Sequence, residues 1–275
     1  MHSTKLTYEG LNSLPLWEHM ATITLDEMRD VKLMNRVDTK YVVSESEVLT
    51  LLEHMAECGY CVQVINGVRA CRYDTLYYDT AERDMYVAHH NRQLTRQKIR
   101  TRTYVETGLT FLEVKNKNNR GRTKKRRTEI ARDDFYTFAT NAAARDFYME
   151  NGRYAHDTIS PALTTRFVRI TLVNPRLTER LTIDLSLEYE DMRSHNRASI
   201  PTMAIVELKQ DGNVVSDLKR TMLEMRIRPL KVSKYCLGTT LTVEGIKRNR
   251  FKQKLRNIAK RLETTEIEIT NNSNQ

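Results

Sequence analysis

Residues 95–130 read TRQKIRTRTYVETGLTFLEVKNKNNRGRTKKRRTEI, and their alternation decides the fold. The runs TRQKIRTRTYVE, LTFLEVKNK and TKKRRTEIA are separated by a Gly108 turn and by the NNRGR segment with Gly121, the punctuation of an antiparallel meander. Side chains two apart on a strand share a face. Arg96, Lys98, Arg100 and Arg102 therefore fall together, as do Glu113, Lys115 and Lys117, and then Lys125, Arg127 and Glu129. A solvated outer face is the ordinary explanation for one such strand. Its recurrence on neighbouring strands, with cations interleaved with carboxylates rather than with Ser, Thr and Gln, points instead to charged faces turned inward.

The same sorting extends in both directions. Arg36, Asp38 and Lys40 share a face in the strand-like LMNRVDTKYVV, and Glu207 and Lys209 oppose Val206 and Leu208. In RLTIDLSLEYE, parity sets Arg180, Thr182, Asp184, Ser186 and Glu188 against Leu181, Ile183, Leu185, Leu187 and Tyr189. YCVQVI, RYDTLYYDT and LTTRFVRITLV add strand-like runs, the last joined to its neighbour through Pro175. Helical patterns occur at 45–57, where Val48, Leu51, Leu52 and Met55 share a face, at 81–92, at 133–150, and after Ser216, a natural N-cap. If the sheet closes under these helices, the cations enclose a basic lumen that implies a polyanionic ligand.

The bulk properties agree. Over 275 residues, 45 Lys and Arg against 35 Asp and Glu leave a net charge of +10, which selects nucleic acid, nucleotide, polyphosphate or an acidic membrane as partner. Nucleic acid is disfavoured, because zinc-finger spacings, an RNP-like platform and phosphate-binding Gly motifs are missing and the cationic faces hold almost no aromatics. No apolar run could span a bilayer and MHSTKLTYEG does not read as a signal peptide, so a cytoplasmic location is expected. Four cysteines make no disulfide framework, and CGYC at Cys58–Cys61 reads as the end of a helix rather than a redox pair. His89 and His90 read as packing or capping residues.

With these residues in place the chain resembles a known family. RVDTKYVVS, IRTR, FLEVKNK, TKKRR, RFVRITLV, LTIDLSL, AIVELK and KVSKY occur in the order seen in the vacuolar transporter chaperone (VTC) polyphosphate polymerase domain, a member of the triphosphate tunnel metalloenzymes. The resemblance covers about residues 30–240. It implies an α+β fold built on a closed, eight-stranded antiparallel β-barrel flanked by helices, with residues 1–29 as a lead-in and 241–275 as a basic amphipathic helix and frayed tail. That last helix, with Phe251, Leu255, Ile258 and Leu262 in one stripe, reads as packed on its own domain ahead of a membrane-surface or partner helix.

The resemblance also implies roles. Lys40, Arg100, Arg102, Lys115, Lys125, Arg127, Arg169, Arg180, Lys231 and Lys234 match the phosphate-binding cations, with Lys209 joining the nucleotide set, and Glu207 matches the metal-binding glutamate, helped by Glu113. The implied activity is transfer of the γ-phosphate of ATP to a growing inorganic polyphosphate chain with Mn²⁺ or Mg²⁺. The alternatives are a tripolyphosphatase or nucleoside triphosphatase on the same fold, or a non-catalytic polyphosphate-binding module. A membrane-associated partner receiving the product is compatible with it. One departure matters: hydrolytic relatives begin with Glu-x-Glu-x-Lys, and here Arg36, Asp38 and Lys40 stand in those places, which favours the polymerase branch.

Overall fold

A computed structural model describes residues 6–31, 36–212, 214–262 and 268–270. Eight strands carry the architecture: β1 Arg36–Ser44, β2 Ala70–Thr80, β3 Arg96–Tyr104, β4 Thr110–Lys117, β5 Thr123–Ile130, β6 Ile159–Val173, β7 Glu179–Asp191 and β8 Met203–Asp211. They pair antiparallel throughout in the order β1-β8-β7-β6-β2-β3-β4-β5. Short strands at 22–23, 61–63, 197–199 and 268–270 extend the sheet at its margins. The tail expected to fray thus contributes backbone pairing at Glu268–Thr270; the rest of 263–275 lies outside the described residues.

Hydrogen bonds do not close the sheet: among the described residues, β1 and β5 remain its two edges. The expectation of a closed barrel is corrected accordingly, and two features account for it. At the β1 edge the Lys40 carbonyl accepts from Leu230 N–H at 2.7 Å, so a loop takes the place of a strand. The β5 edge strings together Lys124, Lys125, Arg126 and Arg127, all exposed, and consecutive charges on an edge oppose strand addition.

Among the described residues, seven helices flank this sheet: α1 Tyr8–Asn12, α2 Glu45–Glu57, α3 Asp84–His90, α4 Ala142–Asn151, α5 Asp217–Glu224, α6 Lys234–Thr242 and α7 Asn249–Arg261. Ser44 and Glu47 form a reciprocal capping box that starts α2 where β1 ends. Val48, Leu51, Leu52 and Met55 then pack on the outward Val43, Leu181, Ile183 and Leu208. Ser216 caps α5 as its sequence suggests. The region 133–150 is less regular than its pattern, with two 3-10 turns before α4.

The register of β7 changes midway. Ser186 adopts a left-handed conformation at φ 51°, and the β6–β7 register shifts between Arg166 and Val168. One extra residue reverses the faces beyond it. Leu185 packs in the outer core with Leu181 and Ile183, whereas Leu187 and Tyr189 turn inward beside Leu163, Tyr235 and Leu237, and Glu188 is exposed. The single parity read along RLTIDLSLEYE therefore fails after Leu185.

Those inward residues seat α6, which the sequence reading did not identify. Nearly all of α6 is buried, and Gly238 lies so close to the sheet that an added Cβ would come within 2.4 Å of Tyr189 and 2.7 Å of Leu163. It plugs one end of the lumen. Phe251, Leu255, Ile258 and Leu262 of the α7 stripe join the same cluster, so this helix packs on its own domain as expected.

Candidate functional site

The inward faces of the eight strands enclose a cavity of about 950 Å³. Every residue singled out above borders it: Lys40, Arg100, Arg102, Glu113, Lys115, Lys125, Arg127, Arg169, Arg180, Glu207, Lys209, Lys231 and Lys234. The side chain of Arg36 lies outside the described residues. Fourteen Lys and Arg line the cavity against three carboxylates, Asp38, Glu113 and Glu207. Confined like charges repel strongly in a medium of reduced dielectric.

Carboxylates hold the middle of this array in place. Glu113, on β4 opposite Arg100 and Arg127, accepts from Arg100 Nε at 2.7 Å and from Lys125 Nζ at 2.5 Å. Asp184, paired with Arg169 between β7 and β6, accepts from Arg169 Nε and Nη2 at 2.6 and 2.9 Å and from Lys234 Nζ. Glu207, flanked by Lys40 on β1 and Thr182 on β7, accepts from Lys209 Nζ at 2.6 Å, with Lys40 Nζ at 3.3 Å. Each carboxylate is thus clamped by two cations. Asp184 shares the inward face in the sequence, yet nothing there marks it as an anchor.

The charges respond as burial and neighbours dictate. Burial alone would raise the Glu113, Asp184 and Glu207 carboxyls, but the clamping cations hold all three below the usual range. Burial pushes Lys125, Lys209 and Lys234 down to about 8, with their carboxylate partners pulling the other way. Lys98 and Lys115 are lowered too, chiefly by burial. Arg102 has its Nε on Thr75 Oγ1 at 3.0 Å, and burial next to Arg100 depresses it.

The ends of the cavity differ. Along β3 the inward residues run Arg96, Lys98, Arg100, Arg102, Tyr104, spanning about 26 Å at ~3.3 Å per residue. Around Tyr104 the wall carries Tyr73 and Phe111, with Arg169 and Arg102 at 4.9 and 5.5 Å from the Tyr73 ring and Arg127 at 4.5 Å from Phe111. The expectation of cationic faces almost free of aromatics is corrected at this end. At the other end the α6 N-terminus enters the cavity, with Ser233 accepting from Lys98 Nζ at 2.9 Å, and His89, Arg96, Lys231 and Lys254 complete the rim.

Compared with known families, residues 35–243 match the VTC domain. This chain belongs to the VTC-domain family. A search of curated proteins finds no match to the VTC chain. Among solved structures, a proposed adenylate cyclase from Bacillus halodurans is 10% identical, with 73% of this chain and 96% of that chain covered at a TM-score of 0.47. A proposed adenylyl cyclase from Hippeastrum, described as having a dominant triphosphatase activity, is 14% identical, covering 76% and 98% at a TM-score of 0.48. These identities are too low to transfer an activity.

The VTC lumen can accommodate a divalent ion of a particular kind. Among the described residues no group of three or more His, Cys, Asp or Glu could hold a metal unaided. Mg²⁺-like ions, however, take one or two protein carboxylates and complete their shell with phosphate oxygens and water. Glu207 provides such a carboxylate, and the buried Thr182 hydroxyl across the β7–β8 ladder has no hydrogen-bond partner among the described residues. Both oxygens of Glu113 are engaged by Arg100 and Lys125, and both of Glu207 by Lys40 and Lys209, so an ion at Glu207 would take the place of one of its lysines.

The remaining motifs of the VTC chain are quieter. Cys58 caps α2 and Cys61 lies on the short strand at 61–63; both are free thiols, and burial raises the Cys58 thiol. His90 is buried and its Nε2 accepts from Arg250 N–H at 3.3 Å. His89 packs near the Phe251 ring and also borders the cavity, where burial and then Lys98 and Arg96 push it down to about 3. No helix among the described residues is long and apolar enough to cross a membrane.

Proposed function

We propose that this VTC domain is a polyphosphate polymerase that lengthens inorganic polyphosphate with the γ-phosphate of ATP. The observation that carries this reading is the enclosed surplus of fourteen cations over three carboxylates in one cavity. Such an array is relieved by a ligand that is nearly all phosphate, and a folded nucleic acid does not fit a lumen of about 950 Å³. Phosphoryl transfer asks a protein mainly for in-line positioning and for neutralisation of spreading negative charge. Arg100, Arg102, Lys115, Lys125, Arg127, Arg169 and Arg180 hold the phosphates, and Lys40, Lys209, Lys231 and Lys234 complete the cradle.

The nucleoside end of ATP lies toward Tyr104 and Phe111, whose half-buried rings offer a stacking surface backed by Tyr73. Glu207, with the Thr182 hydroxyl beside it, would hold Mn²⁺ or Mg²⁺, and the ion would supply charge neutralisation at the transferring group. A terminal oxygen of the chain attacks the γ-phosphorus while the bond to the β–γ bridging oxygen breaks, so ADP leaves and the chain is one unit longer. No protein nucleophile is needed. Lys40 and Lys209 keep Glu207 ionised, and the loop at Leu230 covers the β1 edge, limiting entry of competing water.

A hydrolase on the same scaffold is the second reading, weakened by Arg36 standing where hydrolytic relatives carry a glutamate. The test is incubation of purified protein with ATP and Mn²⁺, followed by separation of long-chain polyphosphate from free phosphate. Chain growth is expected. Release of free phosphate alone would establish the hydrolase, and no turnover with retained binding would establish a binding module.

A further inference from the structure

The plugged end of the lumen differs from its middle in one respect that bears on the product. Among the described residues, no carboxylate forms a salt bridge with Arg96, Lys98, Lys115, Lys231 or Lys254, while Glu113, Asp184 and Glu207 are all committed further in. Lys98 is secured by Ser233 and Arg96 by the Gln93 carbonyl, so these side chains are placed by neutral partners. The charges crowd one another: His89 is depressed by Lys98, Arg96 and Lys254, and Lys254 by Arg92 and Lys231 after burial.

This unbalanced charge continues outside. Lys254 borders the cavity from α7, and Arg250 stands four residues earlier, on the same helix face. Arg250 is fixed there, its backbone N–H on His90 Nε2 and its guanidinium on the Asn91 carbonyl at 3.3 Å. Arg92 follows directly, exposed at the end of α3. Residues 245–262 contain eight Lys and Arg and no Asp or Glu. A line of cations therefore runs from the lumen wall through the rim to the surface without a carboxylate to interrupt it.

Resting on the polymerase reading, we propose that Lys98, Arg96, Lys254, Arg92 and Arg250 form a product track, a second anion site that grips the inorganic polyphosphate chain after it leaves the reaction centre. The occupant is a flexible polyanion rather than a lipid surface, because the line begins inside a lumen too narrow for a bilayer and the apolar stripe of α7 is already buried in its own domain. Short phosphates end before the track, whereas long chains fill both segments, so affinity depends on chain length. Bound along separated cations, the chain also releases counterions, which makes this segment's contribution fall with salt.

The test compares tripolyphosphate with polyphosphate of about 100 units, titrated calorimetrically into full-length protein at low and high salt. Arg92→Gln with Arg250→Gln removes two exposed charges at the mouth. Lys252→Gln with Arg256→Gln removes two exposed charges from the opposite side of α7 as a matched control. In the first double variant, long-chain affinity is expected to fall roughly five- to tenfold at low salt, with tripolyphosphate affinity unchanged within about twofold and the control near wild type. Equal losses in the two double variants, or none in either, overturn the track. Loss of sedimentation with phosphatidylserine vesicles in the mouth variant, at unchanged long-chain affinity, assigns the surface to a membrane and overturns it too. A wild type that binds neither phosphate removes the polymerase reading along with the track, an outcome distinct from all of these.

Discussion

The middle of the lumen and its rim hold the same kinds of side chain under opposite regimes. In the middle, Arg100 and Lys125 share Glu113, Arg169 and Lys234 share Asp184, and Lys40 and Lys209 share Glu207. At the rim, Arg96, Lys98, Lys231 and Lys254 have hydroxyls, carbonyls or one another as neighbours. Clamped cations have fixed positions before any ligand arrives, which suits chemistry that depends on alignment. Unclamped cations would suit a polymer that must be retained and yet slide. Under the proposed reading, position is set by counter-charge at the reaction centre and left to the ligand along the product track.

The severest way to break the contrast is to turn a clamped site into an unclamped one. Asp184→Asn leaves Arg169 and Lys234 buried without their carboxylate, and removal of one partner from a buried ion pair costs about 3 to 5 kcal/mol. Denaturant unfolding should show a loss of that size, largely restored by tripolyphosphate, which supplies the missing charge. Unchanged stability would mean that Asp184 anchors nothing.

A second comparison sets lumen against surface. Arg100→Ala and Lys115→Ala should each weaken tripolyphosphate binding by about 2 to 5 kcal/mol, as for desolvated charge-assisted contacts. Arg120→Ala and Arg122→Ala, in the exposed turn between β4 and β5, should lose about 0 to 1 kcal/mol and nothing at high salt. Similar small losses at all four positions would reduce the lumen to a diffuse basic surface.

Glu207 separates chemistry from binding within the clamped region. Glu207→Gln should lower turnover by at least roughly 10²-fold, about 2.7 kcal/mol, as for loss of a metal-binding or electrostatic group at the reacting centre. Tripolyphosphate binding should hold or tighten, since a negative charge is gone. Turnover within a fewfold of wild type would show that the ion is held elsewhere.

The smallest effect is a pH slope. Lys209, facing Glu207, Arg169 and Arg180, and Lys234, facing Asp184, Arg169 and Lys40, titrate at about 8 in the empty lumen, below the ordinary 10.5. A polyanion favours their charged forms, so binding takes up protons above pH 8 and affinity falls as pH rises further. Between pH 8 and 10.5 the unfolded chain holds more protons on these lysines than the empty folded protein does. The empty protein therefore gains stability from them as pH rises through that window. Calorimetry near pH 8.5 in two buffers of different ionisation heat measures the uptake, and its absence would place these lysines outside the phosphate path.

What the sequence made legible was whatever depends on a period of two. Parity along Arg96–Arg102, Glu113–Lys115 and Lys125–Arg127 put these cations on one inner wall, and the ordered blocks identified the family. Features that depend on a local exception stayed hidden. The bulge at Ser186 defeats parity by one residue, and the plug helix α6 is short, buried on nearly all sides and so lacks an amphipathic signature. Asp184 differs from other inward polar residues only through partners on β6 and α6, distant in the chain. Tyr73, Tyr104 and Phe111 lie at strand ends, where the cationic runs give way. The open seam between β1 and β5 follows from Leu230, a residue outside any strand.

The left-handed Ser186 also bears on how such a molecule could change over generations. The inward residues of β7 before it, Arg180, Thr182 and Asp184, line or anchor the cavity, and those after it, Leu187 and Tyr189, seat the plug. Deleting that single codon would turn both apolar side chains outward and unseat α6 while sparing the pairing of β7 with β8. One in-frame deletion thus converts a vessel with a side door into an open pipe, so the shape of the outlet can drift independently of the chemistry upstream.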